Sequence, residues 1–308
     1  MDFHEDEAGR NMCTVLPELT PVDFHEDEAG TIDLQSSNQT MIQVILGIII
    51  VLIGIFVFYK YPIKNDVKQV TLGALFIILA IILKRLAIMV PFLGLPSLKI
   101  TLEVLPLIVA GLTLQPGYCY IVAIASDALG LVLANAGGFP FFGFTLNAIL
   151  QTLIPCLLKM HLSQKEEKLL ERIVKIIIPL IALSACLYVF QLKTVSISSQ
   201  NYEVTWPIKL TVLAIVVIMM TILFVFMNYY KKKLKKEEGH AFHLCVLSVV
   251  IIELVVTFFL TPYWLEVMYG IPFFASQFVR ILKSCVMIPV GIFIVYTMYK
   301  VICRILKS

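Results

Sequence analysis

Arg280 and Lys283 lie three residues apart in an apolar stretch, 276–300, that reads as a membrane helix. That spacing puts both cations on one helical face, where they suit a carboxylate on a ligand. Just upstream stand Trp264, Tyr269, Phe273 and Phe274. A second ring cluster, Phe139, Phe141, Phe142 and Phe144, falls in "ANAGGFPFFGFT" at 134–145. Rings supply apolar area and faces for planar ligands, although Trp and Tyr also collect at headgroup depth as an interfacial belt. Gly137, Gly138 and Gly143 permit close approach of backbone to ligand, or simply a tight turn. Thr145 and Asn147 offer side-chain hydrogen bonds, unless Thr145 only caps its helix. Rings beside bases describe a pocket for a flat, anionic ligand.

Other charged residues lie within apolar runs, where charge is costly and usually functional or paired. Lys84 and Arg85 close one run and either line the pocket or snorkel outward. Lys99 and Glu103 are four apart and could pair with each other. Asp127, in "ASDALG", and Glu253, in "VVIIELVV", are each either a buried hydrogen-bonded helix contact or part of an ion path.

Enzyme chemistry finds no foothold. There is no G-x-S-x-G, no P-loop and no H-E-x-x-H. The five histidines (4, 25, 161, 240, 243) fall in the N-terminal tail or near loops, and the seven cysteines (13, 119, 156, 186, 245, 285, 303) form no CxxC pair. We expect no metal, no cofactor and no disulfide framework. Without a Walker motif, any coupling to ATP would come from partner subunits.

The elements that must position these residues follow from composition. Of 308 residues, 59% are hydrophobic and 15% charged, and the mean hydropathy is +0.92. A soluble domain carries about a quarter charged residues. A spanning helix needs about 20 mostly apolar residues, and we read nine such segments, near 41–59, 67–90, 100–115, 117–134, 144–158, 173–191, 208–229, 242–260 and 276–300. The expected fold is an all-α, multi-pass membrane protein embedded in the lipid bilayer.

Charge orients it. Residues 1–40 hold ten acids and one base, Arg10, whereas the remainder holds 23 bases against 11 acids. This basic excess belongs to membrane loops, so no nucleic-acid partner is implied. With the tail outside, 16 of the 24 bases fall on inside loops and helix ends, among them Lys165, Lys168, Arg172 and the run 231–236. The positive-inside rule then puts the N-terminus outside and the C-terminus in the cytoplasm. The loops 84–100, 134–145 and 261–283 share the outer side, where the pocket would form.

The tail repeats "DFHEDEAG" at 2–9 and 23–30. Its composition cannot bury a core, so 1–40 reads as a disordered acidic tail carrying a short duplication, or a cloning scar. With no basic n-region and no apolar run before residue 41, it does not read as a signal peptide.

The run "GALFIILAIILKRLAIMVPFLGLPSLKITLEVLPLIVAGLTLQPGYCYIVAIASDALGLVLANAGGFPFFGFTLNAILQTLIP" resembles the substrate-binding S component of energy-coupling factor (ECF) vitamin transporters. The later "TPYWLEVMYGIPFFASQFVRILKSCVMIPV" looks like the folate-specific branch. Together they cover roughly 67–158 and 242–303. The resemblance implies a six-helix core that captures a vitamin of the folate class in a bacterial cell membrane. Its implied partners are a membrane coupling subunit and two ATPase subunits, which use the ATP. The implied ligand-binding residues are Arg85, Lys99, Phe141, Phe142, Gly143, Phe144, Thr145, Trp264, Tyr269, Phe273, Phe274, Arg280 and Lys283. Gly73, Ala74 and Ala80 correspond to the small-residue face that docks the coupling subunit in this family, with Ile77 and Ile78 where small residues are usual.

The chain then divides into a tail (1–40), an extra N-terminal helix and linker (41–66), core helices one to four (67–158), an inserted helical pair with basic loops (159–241) and core helices five and six (242–308). The sequence thus carries about three helices beyond the six-helix core. Other readings are an S component for another vitamin, an ion-gradient-driven secondary transporter using Asp127 or Glu253, or a membrane scaffold or sensor that makes contact through its tail.

Overall fold

A computed structural model describes residues 26–63, 66–86, 88–92, 95–100, 102–133, 141–162, 194–197, 200–203, 236–269 and 273–307, with scattered positions between 206 and 225. The chain divides into two units, Met1–Met41 and Ile42–Ser308. The repeat at 2–9 lies outside the described residues.

In chain order the elements are α1 (Glu26–Lys60), α2 (Val67–Arg85), a hairpin of β1 (Ile88–Phe92) and β2 (Leu95–Ile100), α3 (Val104–Thr113), α4 (Pro116–Leu133) and α5 (Phe142–His161). A second hairpin follows, β3 (Thr194–Ile197) with β4 (Gln200–Glu203). Then come α6 (Lys236–Ile252), a π-helical stretch (Glu253–Leu260), α7 (Thr261–Tyr269) and α8 (Phe273–Lys307). The fold is predominantly helical. Among the described residues, six helices are long and apolar enough to cross a membrane: Gln39–Lys60, Val67–Arg85, Pro116–Leu133, Phe142–His161, Gly239–Met268 and Met287–Leu306. That is the make-up of a multi-pass helical membrane protein. The helices expected near 173–191 and 208–229 lie outside the described residues, apart from those scattered positions.

Several expected boundaries move. The helix of α1 begins at Glu26, inside the segment read as disordered tail. The run 67–90 stops being helical at Arg85, and 88–100 forms an antiparallel hairpin rather than a loop. Its register slips between Val90 and Phe92, at Pro91, which has no N–H to give the ladder. The segment read as 100–115 holds only the ten-residue α3, about 15 Å long by helical rise, too short to span. The segment read as ending at 260 continues as helix to Tyr269, so Trp264 stands on a helix and not in a loop.

The core is the packing of α3 against its neighbours. Residues Leu105 to Leu112 are all buried. Gly111 makes this possible: a Cβ there would overlap the Thr152 carbonyl oxygen of α5 and stand 3.0 Å from the Pro155 Cβ. Pro116 disfavours helical backbone at the residue before it, and α3 gives way to α4 across Leu114 and Gln115. In α1, Leu46, Ile50 and Val57 are buried at helical spacing. Tyr120 of α4 lies over Gly54 and donates to the Ile50 carbonyl at 2.9 Å.

These connections give the bundle a definite end. There α2 closes, the first hairpin sits, α3 opens, α4 closes, α5 opens, and α7 gives way to α8. The opposite end joins Tyr61 to His161 and Gln69 to the Gln115 backbone N–H.

Candidate functional site

The first turn of α5 places one half of the site. Phe141 is its N-cap residue and is buried, while Phe142 points outward and is exposed. Phe141 meets Phe144 and Trp264 edge-on, each at 5.8 Å between ring centres. Gly143 is required here. A Cβ would overlap the Phe141 ring and stand 2.8 Å from the Trp264 indole.

Trp264 is buried and its indole N–H donates to Asn147 Oδ1 at 3.0 Å. Asn147 in turn donates through Nδ2 to Thr261 Oγ1 at 3.3 Å. Thr261 donates to the Val256 carbonyl from both its hydroxyl and its backbone N–H. The π stretch has a local cause in Pro262. A proline ring in a helix interior clashes with the carbonyl four residues back, and a wider turn just upstream relieves that clash. Trp264 therefore belongs to a satisfied wall: Phe141 packs edge-on to it on one side and Tyr263 at 5.1 Å on another.

The second half is ionic. Lys84 of α2 donates to Asp127 Oδ1 at 3.0 Å, and its ammonium is 3.6 Å from Glu103. The other Asp127 oxygen accepts from the Thr145 hydroxyl at 2.7 Å. Gly130, one turn beyond Asp127, leaves room for the lysine stem, with a Cβ there falling 3.1 Å from Cδ. Glu103, at the start of α3, makes no side-chain capping bond and is turned to Lys84. A buried charge is tolerable only when paired and hydrogen-bonded, and Asp127 meets both conditions. One joint thus ties α2, α3, α4 and α5 together.

Arg85, the base expected to line the pocket, is exposed; its neighbour Lys84 turns inward. Glu103 pairs with Lys84; the pairing with Lys99 that the spacing of four suggested involves a side chain outside the described residues. Thr145 neither caps α5 nor stands free, being committed to Asp127. Asn147, the link between α5 and α7, was visible in the sequence only as a possible hydrogen-bonding group. The signal that would have singled out Lys84 is Asp127, a carboxylate inside an apolar run that requires a base.

On α8, Arg280 and Lys283 are half-buried. Ser284 beside them donates to Glu253 Oε2 at 3.0 Å, and Glu253 is buried. Lys99 lies in β2, opposite Met89. Tyr269 ends α7, and Phe273 and Phe274 open α8, so these three are helical and not in a loop. Their side chains, and that of Lys99, lie outside the described residues, as do Gly137, Gly138 and Phe139. Of the small residues expected at a partner interface, Gly73 and Ala80 are buried within the chain, Gly73 against Val122 of α4, while Ala74 faces outward. Among the described residues no three His, Cys, Asp or Glu side chains cluster as metal ligands.

Compared with known proteins, the chain matches no family model, and neither the curated proteins nor the solved structures contain a match to it.

Proposed function

We propose that the chain is the membrane-embedded substrate-binding subunit of an ATP-driven vitamin uptake transporter of the ECF type, taking folate or a reduced pterin. What supports the reading, beyond the sequence resemblance, is one juxtaposition. The first turn of α5, the Trp264 turn of α7 and the cationic face of α8 lie at the same end of the bundle, next to the first hairpin. A pterin is flat and apolar-faced with polar edges, and suits rings beside an amide. Its glutamate carboxylates suit Arg280 and Lys283. On this reading the subunit catalyses nothing. A membrane coupling subunit and two ATPase subunits supply the energy, and in a bacterial cell membrane the hairpin end faces outward with the C-terminus in the cytoplasm.

Calorimetry on the purified chain tests the reading. Submicromolar binding of folate or folinate is the expected result, and its absence for both overturns the folate assignment. A pterin that copurifies, detected by absorbance or mass spectrometry, would identify the ligand directly. Uptake into liposomes without any ATPase, abolished by collapsing an ion gradient, would instead support a secondary transporter. Asp127 is a poor relay for that alternative, because both its oxygens are already engaged by Lys84 and Thr145.

A further inference from the structure

Glu253 opens the π stretch with its carboxylate buried, and one oxygen accepts from Ser284 of α8. Residues 280, 283 and 284 are spaced by three and four, so they share one face of α8. The bond at Ser284 turns that face toward Glu253. Arg280 lies one turn before Ser284 and Lys283 immediately precedes it, so both cations are carried on the turn of α8 that meets the carboxylate. Among the described residues, two other acids are already engaged: Glu103 is 3.6 Å from Lys84, and Asp127 is held by Lys84 and Thr145. Lys84 is thereby balanced by two acids, and Glu253 is the acid that the Ser284 bond holds against the face of α8 that carries Arg280.

We infer that Glu253 is a built-in counter-ion: its carboxylate compensates Arg280 and Lys283 in the ligand-free protein, and a ligand carboxylate must compete with it for them. The inference rests on the reading of the preceding subsection, which makes these cations the ones that meet the ligand. Its physical basis is that two like charges brought together out of water are costly without an opposite charge. An acid supplied by the π stretch removes that cost before ligand arrives. It also repels an incoming anion, so binding is weaker than the cations alone would give. For a transport subunit this has a use, since a resident carboxylate that can retake the cations assists release.

The test is the Glu253→Gln variant of the full chain in detergent, which keeps the volume and an acceptor for Ser284 but removes the charge. Dissociation constants would be measured for folate and for a pterin lacking the glutamate. We expect folate to bind about tenfold tighter or more than to the wild type, as removal of a close opposing charge warrants, with pterin binding unchanged. Folate binding that is unchanged or weaker, or equal tightening for both ligands, overturns the inference. Should Glu253→Gln fail to fold, Ser284→Ala removes the hydroxyl that holds one carboxylate oxygen and leaves that oxygen free for the cations. Weaker folate binding, with pterin binding unchanged, is then expected, and its absence is equally decisive. Wild-type protein that binds neither ligand overturns the parent reading and this inference together. Wild-type binding with an indifferent Glu253→Gln overturns this inference alone.

Discussion

Lys84 and Asp127 are 43 residues apart and joined at 3.0 Å, a lysine near the end of one membrane helix reaching the middle of another. Asp127 is 5% exposed, whereas the lysine side chain retains 27% exposure. Removing either partner leaves the other uncompensated. For a fully buried pair that costs about 3–5 kcal/mol. The exposure of Lys84 lowers the figure, and we expect about 2–3 kcal/mol for Lys84→Met. The double variant Lys84→Met/Asp127→Leu should recover part of the loss, because no lone charge remains. Thermal unfolding of the single and double variants in detergent checks this. A double variant no more stable than Lys84→Met would show that the pair is not what holds α2 to α4.

The amide of Asn147 makes two hydrogen bonds, one accepted from Trp264 and one donated to Thr261, and its loss breaks both. Asn147→Leu leaves the Trp264 N–H and the Thr261 hydroxyl without their partner, although the hydroxyl keeps its bond to the Val256 carbonyl. A buried unsatisfied group costs about 1–3 kcal/mol, and the indole N–H should dominate. Trp264→Phe removes donor and ring edge together and should leave the amide half satisfied. Trp264→Ala empties a packed site and should cost about 3–5 kcal/mol, with ligand binding weakened as well. Unfolding midpoints for the three variants give the order, and Asn147→Leu less disruptive than Trp264→Phe would count against the bridge.

Gly143 and Gly239 form a matched pair for mutation to alanine. A Cβ at Gly143 overlaps the Phe141 ring, whereas at Gly239 nothing lies within 4 Å. Gly143→Ala should destabilise by about 1–3 kcal/mol through overpacking and shift the emission of Trp264. Gly239→Ala, in an α-helix, should be neutral or stabilising by up to about 1 kcal/mol. Equal effects at the two sites would mean that the ring cluster yields easily.

Arg280 supplies the test of ligand orientation. If it meets the glutamate part of a folate, Arg280→Ala should weaken binding of the whole vitamin by about tenfold or more and leave a pterin without glutamate nearly unaffected. Equal losses for both ligands would remove Arg280 from that role.

Long apolar runs made the spans legible, since about 20 apolar residues have few other fates. What lay within each span was harder to read. Val67–Arg85 exposes Ile78 and Ile82 and buries Phe76 and Ala80, yet all four are apolar, because lipid and core ask for the same chemistry. Lys84 and Arg85 differ by one residue, or roughly 100° around the helix, and nothing local distinguishes the inward one. Only the distant acids Asp127 and Glu103 do so. The first hairpin was missed because "IMVPF" and "LPSLKI" continue the apolar character of the helix before them. Their prolines, at 91 and 96, were the available sign against helix. Trp264 fell in the loop 261–283 because the apolar run before it ends at 260, whereas the chain carries Pro262 within a helix and widens the turn just upstream.

That widening sets a phase. A helix that closes its bonds five residues on, rather than four, lags an ideal α-helix by roughly 100° for each such insertion. The stripe of α6 that packs inward at Phe242, Val246 and Val249 therefore does not extrapolate to Trp264. Extended in strict register, the indole would fall in line with Val246, about five full turns earlier, and the offset moves it off that line. The eight residues from Glu253 to Leu260 work as a rotary offset between a segment tuned for packing and a segment tuned for the site. Deleting or adding one residue there would turn every side chain of α7 while leaving α6 where it is.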